Sequence, residues 1–223
     1  MNLSPGYGRR FLIAAGLLSL TDIVLFDVRV LLTGTTRYSF IPWNLALAWV
    51  GLLLAAVLVR NLRRRRWLSW QNGLLSLLWL AFLPNSWYVL TDFIHVVPTA
   101  EISQLFDIVL ISLLVFIGFG LGFASLFLVH RELLRRFKPL KSYALIEIVI
   151  LIASFAIYVG RDLRWNTWDV ISNPGALINV SNNIADPFGN PRAVTVTGLF
   201  FILISVLYLA FWIFTYPGKP KKR

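Results

Sequence analysis

The residues best suited to chemistry form a polar run within residues 83–95, LPNSWYVLTDFIH. Four polar side chains follow one another here at intervals of three or four residues: Asn85, Tyr88, Asp92 and His95. In an α-helix such intervals place side chains on one face, so we predict one stripe with an amide, a phenol, a carboxylate and an imidazole. Pro84 removes a backbone donor directly before this stripe, and the helix is expected to kink or restart there.

A second polar run occupies residues 160–169, GRDLRWNTWD. Helical spacing would place Arg161 and Arg164 beside tryptophans on one stripe, with Asp162, Asn166 and Asp169 on another. Guanidinium groups bind anions in a bidentate manner and stack on aromatic faces. With Arg37 and Asn44, these side chains predict one shared pocket, whose candidate ligand-binding residues are Arg37, Asn44, Asn85, Tyr88, Asp92, His95, Arg161, Arg164, Asn166 and Asp169.

The two runs are expected to touch, because both leave apolar sequence at the same level. Removing one partner of a buried ion pair costs about 3–5 kcal/mol, so charges at this boundary should be paired. We predict a carboxylate–guanidinium bond between Asp92 and Arg161 or Arg164. Asn85 or Asn166 would complete the network. Such a network fastens the loops to the bundle whether or not it also holds a ligand.

Four functions are compatible with these residues. The leading one is a site for an anionic or polyhydroxyl group such as a lipid headgroup. An enzyme acting on a lipid-linked substrate would use Asp92 and His95 as general base and orienting group. A small proton- or cation-coupled transporter would use Asp22, and a structural subunit of a membrane complex would need none of these groups. The sequence does not identify a reaction or a transported substrate.

The chain offers little for metal or cofactor chemistry, and we predict neither a metal site nor a cofactor. It contains no cysteine, which excludes thiolate ligands and a cysteine nucleophile. Asp92 and His95 are only two ligands, and Ser86 lies off the stripe that a Ser–His–Asp arrangement would need. The tryptophans near the polar runs are predicted to form an interfacial belt: Trp43, Trp87, Trp165 and Trp168.

Asp22 is an ionisable residue inside the first apolar block. Placing such a group at the bilayer centre costs at least about 2.5–3.5 kcal/mol. It must therefore be protonated, paired or in contact with water. It is either a proton or cation relay, or a carboxyl bonded to another helix.

The elements that position these residues are long apolar blocks. Hydrophobic residues make up 58% of the 223 residues and charged residues 14%, against about 45–50% and about 25% in soluble domains. Because a helix needs about 20 apolar residues to cross a bilayer, we predict an all-α polytopic transmembrane helical bundle. It forms a single integral membrane domain over residues 1–223, with six spans near 11–32, 41–59, 70–90, 106–129, 143–159 and 194–214.

Basic residues orient this bundle. Of the 21 Lys and Arg residues, only five fall on the side that holds the two polar runs: Arg29, Arg37, Arg161, Arg164 and Arg192. The positive-inside rule therefore predicts that both termini are cytoplasmic and that the candidate pocket is extracytoplasmic. Arg29 is expected to snorkel toward the surface from the first span. Glycines 118, 120 and 122 permit close helix approach in the fourth span.

The net charge of +11 predicts the partners. Its basic residues sit in short runs at the ends of apolar blocks, so we expect contact with anionic headgroups on the cytoplasmic side of a bilayer rather than with nucleic acid. A lipid or small-molecule ligand fits the candidate pocket. The sequence leaves open whether the chain forms an oligomer or a complex.

Three segments resemble a bacterial family of membrane proteins known only as a domain of unknown function: residues 43–49 (WNLALAW), 83–95 and 160–169. The likeness covers most of the chain from span two to span five. The middle segment is the most specific, although Ser86 and Trp87 stand where the family often has a small residue or proline. The resemblance implies an integral membrane protein, here in the bacterial inner membrane, and it implies no activity.

The orientation predicts where two reporters will be found. A reporter fused after Arg223 should be cytoplasmic, because six spans separate the two termini. One inserted near Asn182 should be extracytoplasmic, because a single span lies between Asn182 and Arg223. Protease protection or alkaline phosphatase activity reports the side. Finding both reporters on one side would remove the argument for a shared pocket.

Overall fold

The computed structural model describes residues 5–67, 69–99, 101–162 and 190–215. Every regular element in these ranges is a helix, in the order α1 (Pro5–Thr33), α2 (Phe40–Leu62), α3 (Trp70–Phe82), α4 (Asn85–Tyr88), a 3₁₀ segment (Val89–His95), α5 (Gln104–Arg136), α6 (Pro139–Asp162) and α7 (Pro191–Thr215). The short pieces α4 and the 3₁₀ segment continue α3, and together they form the third span, Trp70–His95.

Six of these helical stretches are long and apolar enough to cross a bilayer. The prediction of an all-α bundle with six spans is therefore confirmed for the described part of the chain. The helices exceed the predicted apolar blocks: α5, predicted near 106–129, extends over the 33 residues Gln104–Arg136. A helix satisfies its backbone hydrogen bonds internally whatever its side chains are, so it continues past the apolar core into charged sequence.

The six spans alternate in direction and so define two ends. Asn44 bonds Asp92 and Arg192 bonds Asp162 at one end, which we call the Asp92 end. The guanidinium of Arg136 donates to the Leu62 carbonyl at 2.5 Å at the other, which we call the opposite end. The cytoplasmic location of the opposite end stays a prediction.

Local sequence explains where several helices begin and end at the Asp92 end. Gly34 adopts φ 67° and its N–H donates to the Val30 carbonyl at 2.8 Å, a left-handed cap that only glycine forms without strain. The Ser103 hydroxyl accepts from the Leu105 N–H at 3.3 Å at the start of α5. Asn190 Oδ1 accepts from the first backbone N–H groups of α7.

Helices α2 and α5 form the centre of the bundle. α5 packs against α1, α2, α4, the 3₁₀ segment, α6 and α7. One apolar cluster joins α1, α2 and α5, and a second joins α2, α3, α5, α6 and α7. A polar contact crosses the second cluster, because the Trp79 indole donates to Ser125 at 2.8 Å and Ser125 donates to the Gly51 carbonyl at 3.2 Å. This contact pins α2, α3 and α5 at one level.

The third span breaks at Pro84 as predicted, since α3 ends at Phe82 and the helix restarts at Asn85. The helical turn that begins at Asn85 packs closely against α5. A methyl group on Gly122 would meet the Trp87 indole at 2.8 Å. Close approach is thus confirmed at two of the three glycines, while Gly120 faces open space. Trp87 is fully buried in this contact, so its predicted place in an interfacial belt is wrong.

The contact at Gly118 predicts a stability difference between two glycine substitutions. A methyl group at Gly118 would meet the Ser86 carbonyl oxygen at 2.5 Å, whereas one at Gly120 meets nothing within 4 Å. Gly118→Ala should therefore lower the free energy of unfolding by about 1–3 kcal/mol through overpacking. Gly120→Ala, the matched control on the same helix, should be neutral. Thermal unfolding in detergent measures both, and equal midpoints would contradict the contact.

A candidate polar site at the Asp92 end

Asn44 of α2 and Asp92 of the 3₁₀ segment form the central contact of the site. The Asn44 amide donates to Asp92 Oδ2 at 2.8 Å. Asp92 is 3% exposed, and no hydrogen bond from a described residue reaches its Oδ1. The bond joins two spans that are distant in sequence, and it leaves one carboxylate oxygen available for a further donor.

The predicted stripe of four side chains is divided after Tyr88, because the α-helix gives way there to a 3₁₀ helix. A 3₁₀ helix has three residues per turn, so Asp92 aligns with Val89 rather than with Tyr88. Val89 and Asp92 are both buried, while His95 is exposed. A prediction based on α-helical spacing cannot anticipate this change of pitch.

The Asn85 side chain forms a hydrogen bond with a backbone carbonyl of its own span. The Ser86 N–H bonds the Leu83 carbonyl, and the Asn85 amide donates to the Phe82 carbonyl at 3.1 Å. The side chain thus supplies a donor that the broken helix lacks. Asn85 and Asp92 therefore belong to different hydrogen-bonded groups among the described residues.

Arg161 and Arg37 approach the same region from α6 and from the segment between α1 and α2. The charge of Arg161 acts on both Asp92 and His95, and the charge of Arg37 acts on His95. Within the described ranges neither guanidinium forms an ion pair with a carboxylate, so the predicted Asp92–Arg161 bond is not made. Three other predicted site residues lie outside the described residues: Arg164, Asn166 and Asp169.

An ion pair that the sequence analysis missed lies beside this site. Arg29 Nε donates to Asp107 Oδ1 at 2.7 Å, and Arg29 Nη2 lies 3.4 Å from Glu101 Oε2. Arg29 is 0% exposed, so the prediction that it snorkels to the surface is wrong. The signal was present, because opposite charges end the first predicted span and begin the fourth on the same side of the bundle.

Tyr38 connects this ion pair to the site. Its hydroxyl lies 2.9 Å from Asp107 Oδ2 and 3.2 Å from the His95 carbonyl, and its ring faces the Arg29 guanidinium at 4.4 Å. Burial, and then the bond to Asp107, raise the pKa of Tyr38 to about 12. The phenol therefore keeps its proton near neutral pH and remains a donor. The end of the 3₁₀ segment is thereby fastened to α1 and α5.

The chemistry available at the Asp92 end is that of anion and hydroxyl recognition. Guanidinium groups donate to anions, while a carboxylate and an exposed imidazole can bind hydroxyl groups. Within the described residues, no group of three or more His, Asp or Glu side chains is placed to hold a metal ion. The geometry therefore gives no argument for metal chemistry there.

Six apolar helices with polar and charged side chains at their ends are the pattern of a multi-pass membrane protein. The chain belongs to the DUF1361 family, described as a protein of unknown function, whose model matches residues 43–217. The match extends through α7, beyond the range suggested by the three sequence segments. No curated protein and no solved structure matches the chain.

Breaking the Arg29–Asp107 pair is predicted to lower the free energy of unfolding by a large amount. Arg29→Gln leaves Asp107 buried without its charged partner, so the free energy of unfolding should fall by about 3–5 kcal/mol. Arg192→Gln is the matched control, because Arg192 is 76% exposed in its pair with Asp162 and an exposed pair contributes about 0–1 kcal/mol. Thermal unfolding in detergent compares the variants. Similar losses in both would contradict the role of the buried pair.

Proposed function

We propose that this chain is a cell-membrane protein whose Asp92 end faces the extracytoplasmic side and binds an anionic, hydroxyl-bearing group of the lipid-headgroup kind. Arg37 and Arg161 hold the anion. Asp92, oriented by Asn44, accepts from a hydroxyl group of the ligand. The arginine of the second polar run, Arg164, is expected to join them.

The observation that carries this proposal is the distribution of charge partners at this end. Four of the five described carboxylates there are already engaged: Asp107 and Glu101 with Arg29, Asp162 with Arg192, and Asp92 with Asn44, whereas Asp27 is exposed on α1. Arg37 and Arg161 have no such carboxylate partner among the described residues, and both act on His95. Two guanidiniums whose charges reach the same imidazole and that lack a carboxylate partner favour an external anion.

The position of these groups favours a lipid rather than a soluble anion. Arg37 lies between two spans, and Arg161 lies in the last turn of another. Trp43, close to Asn44 in sequence, is 56% exposed, which is typical of a residue at headgroup level. A ligand bound here could keep its acyl chains in the bilayer while its headgroup meets the polar side chains.

Native mass spectrometry with phosphatidylglycerol tests the proposal, because this headgroup has one negative charge and two hydroxyl groups. Arg37→Gln/Arg161→Gln should weaken the tightest binding event about tenfold, as expected for the loss of a charge-assisted hydrogen bond. Phosphatidylcholine should not compete. Soluble glycerol phosphate should compete if the headgroup alone is sufficient, and should fail if the acyl chains are required.

The matched control is Arg63→Gln/Arg64→Gln, which removes two exposed guanidiniums from the opposite end. It should reduce weak binding while the tightest event persists. An unchanged tightest event in Arg37→Gln/Arg161→Gln, together with its loss in the control, would overturn the proposal and place lipid recognition at the opposite end.

A further inference from the structure

Asp22 is a buried carboxyl group of α1 that the proposed headgroup site does not use. It lies near the middle of the span Gly8–Thr33. Its side chain is 0% exposed, and neither carboxylate oxygen has a hydrogen-bond partner among the described residues. The alternative in which Asp22 bonds to another helix is therefore not seen in this structure.

The nearest cation on the same face of α1 is already committed. Arg29 lies seven residues further along, about 10 Å by helical rise. Its Nε bonds Asp107, its Nη2 bonds Glu101, and its Nη1 donates to the Thr35 hydroxyl at 3.2 Å. Because these groups hold the guanidinium toward the C-terminal end of α1, away from Asp22, it does not neutralise Asp22.

The hydroxyl groups closest to Asp22 along α1 are committed as well. Ser19, one turn away, donates to the Ala15 carbonyl at 2.7 Å and accepts from the Trp49 indole at 3.1 Å. Thr21 donates to the Leu17 carbonyl at 3.0 Å. No hydroxyl proton of these two residues remains to stabilise a carboxylate at Asp22.

The neighbouring helices supply no counter-charge at this depth. The titratable residues of α1, α2 and α5 lie near the helix ends or are bound to Arg29: Arg9, Arg10, Asp27, Arg29, Arg60, Asp107, His130, Arg131, Glu132, Arg135 and Arg136. Seven residues along α5 from Asp107, at about the level of Asp22, stands buried Leu114. Asp22 thus borders an apolar layer of α5.

We propose that Asp22 is a reversible proton-binding site. A proton from water forms an O–H bond with the carboxylate, which becomes a neutral acid, and nothing else is exchanged. An ionised carboxylate without a partner is strongly disfavoured in this layer. The packed arrangement of α1 therefore holds the protonated form, and release of the proton requires α1 to separate from α5 or water to enter between them.

Two features of α1 connect the protonation of Asp22 to the Asp92 end. Only 17% of the most apolar window of α1 is buried, against 50% for α2 and for α5, so α1 is among the least enclosed spans. Its far end is tied through Arg29, Asp107 and Tyr38 to the His95 carbonyl. A movement of α1 that accompanies proton release therefore reaches the Asp92 end. The inference does not depend on headgroup binding.

Infrared difference spectroscopy of the full chain in lipid nanodiscs tests the proposal. The carbonyl band of a protonated carboxylic acid should be present at neutral pH, where a free aspartate is ionised, and should disappear reversibly as the pH is raised, with a one-proton profile. The band should be absent from Asp22→Asn, which keeps the shape of the side chain. Hydrogen exchange in α1 should rise in the wild type over the same pH range and should stay constant in Asp22→Asn.

Asp27→Asn is the matched control, because Asp27 is an exposed carboxylate on the same helix. It should leave both the band and the exchange profile unchanged. An acid carbonyl region that is the same in wild type and in Asp22→Asn at every pH would show that Asp22 carries no proton. A band that persists unchanged at alkaline pH would show that the proton is not exchangeable. Either result overturns the proposal, and neither affects the lipid-binding test above.

Discussion

The buried bond between Arg29 and Asp107 is the constraint on which the Asp92 end depends. In a bilayer no water competes for these charges, so each requires the other. Their pairing fixes the depth of α1 relative to α5, and it thereby sets the level at which every polar residue of α1 meets its neighbours. Tyr38 extends the same bond network to the 3₁₀ segment. The geometry around Asp92 therefore follows from an ion pair in which Asp92 takes no part.

The tight contact between the broken third span and α5 is a second constraint. Ser86 and Trp87 lie directly against Gly118 and Gly122. Pro84 has already interrupted the helix there, and the interruption frees backbone groups that Asn85 partly satisfies. The glycines of α5 thus permit the close approach, Pro84 breaks the helix, and Asn85 supplies the missing donor.

The sequence predicted the six spans and the break at Pro84 well, because both follow from local properties, namely apolar length and a missing backbone donor. It predicted only part of the site. Asn44 and Asp92, both in the predicted group, contact each other. Arg29 was misplaced because its partner lies 78 residues away, and only the shared level of the two span ends, rather than a local pattern, points to it. The pitch of the third span was also missed, since no rule of spacing distinguishes a 3₁₀ from an α-helix over seven residues.

That difference of pitch has a mechanical meaning. The 3₁₀ segment contains seven residues, and a 3₁₀ helix rises about 2.0 Å and turns about 120° per residue, against about 1.5 Å and 100° in an α-helix. Rewinding the segment would draw His95 inward by about 3.5 Å and rotate it by about 140° relative to Pro84. Such a screw motion would carry Asp92 away from Asn44, and the segment therefore couples extension of the third span to the direction in which its carboxylate points.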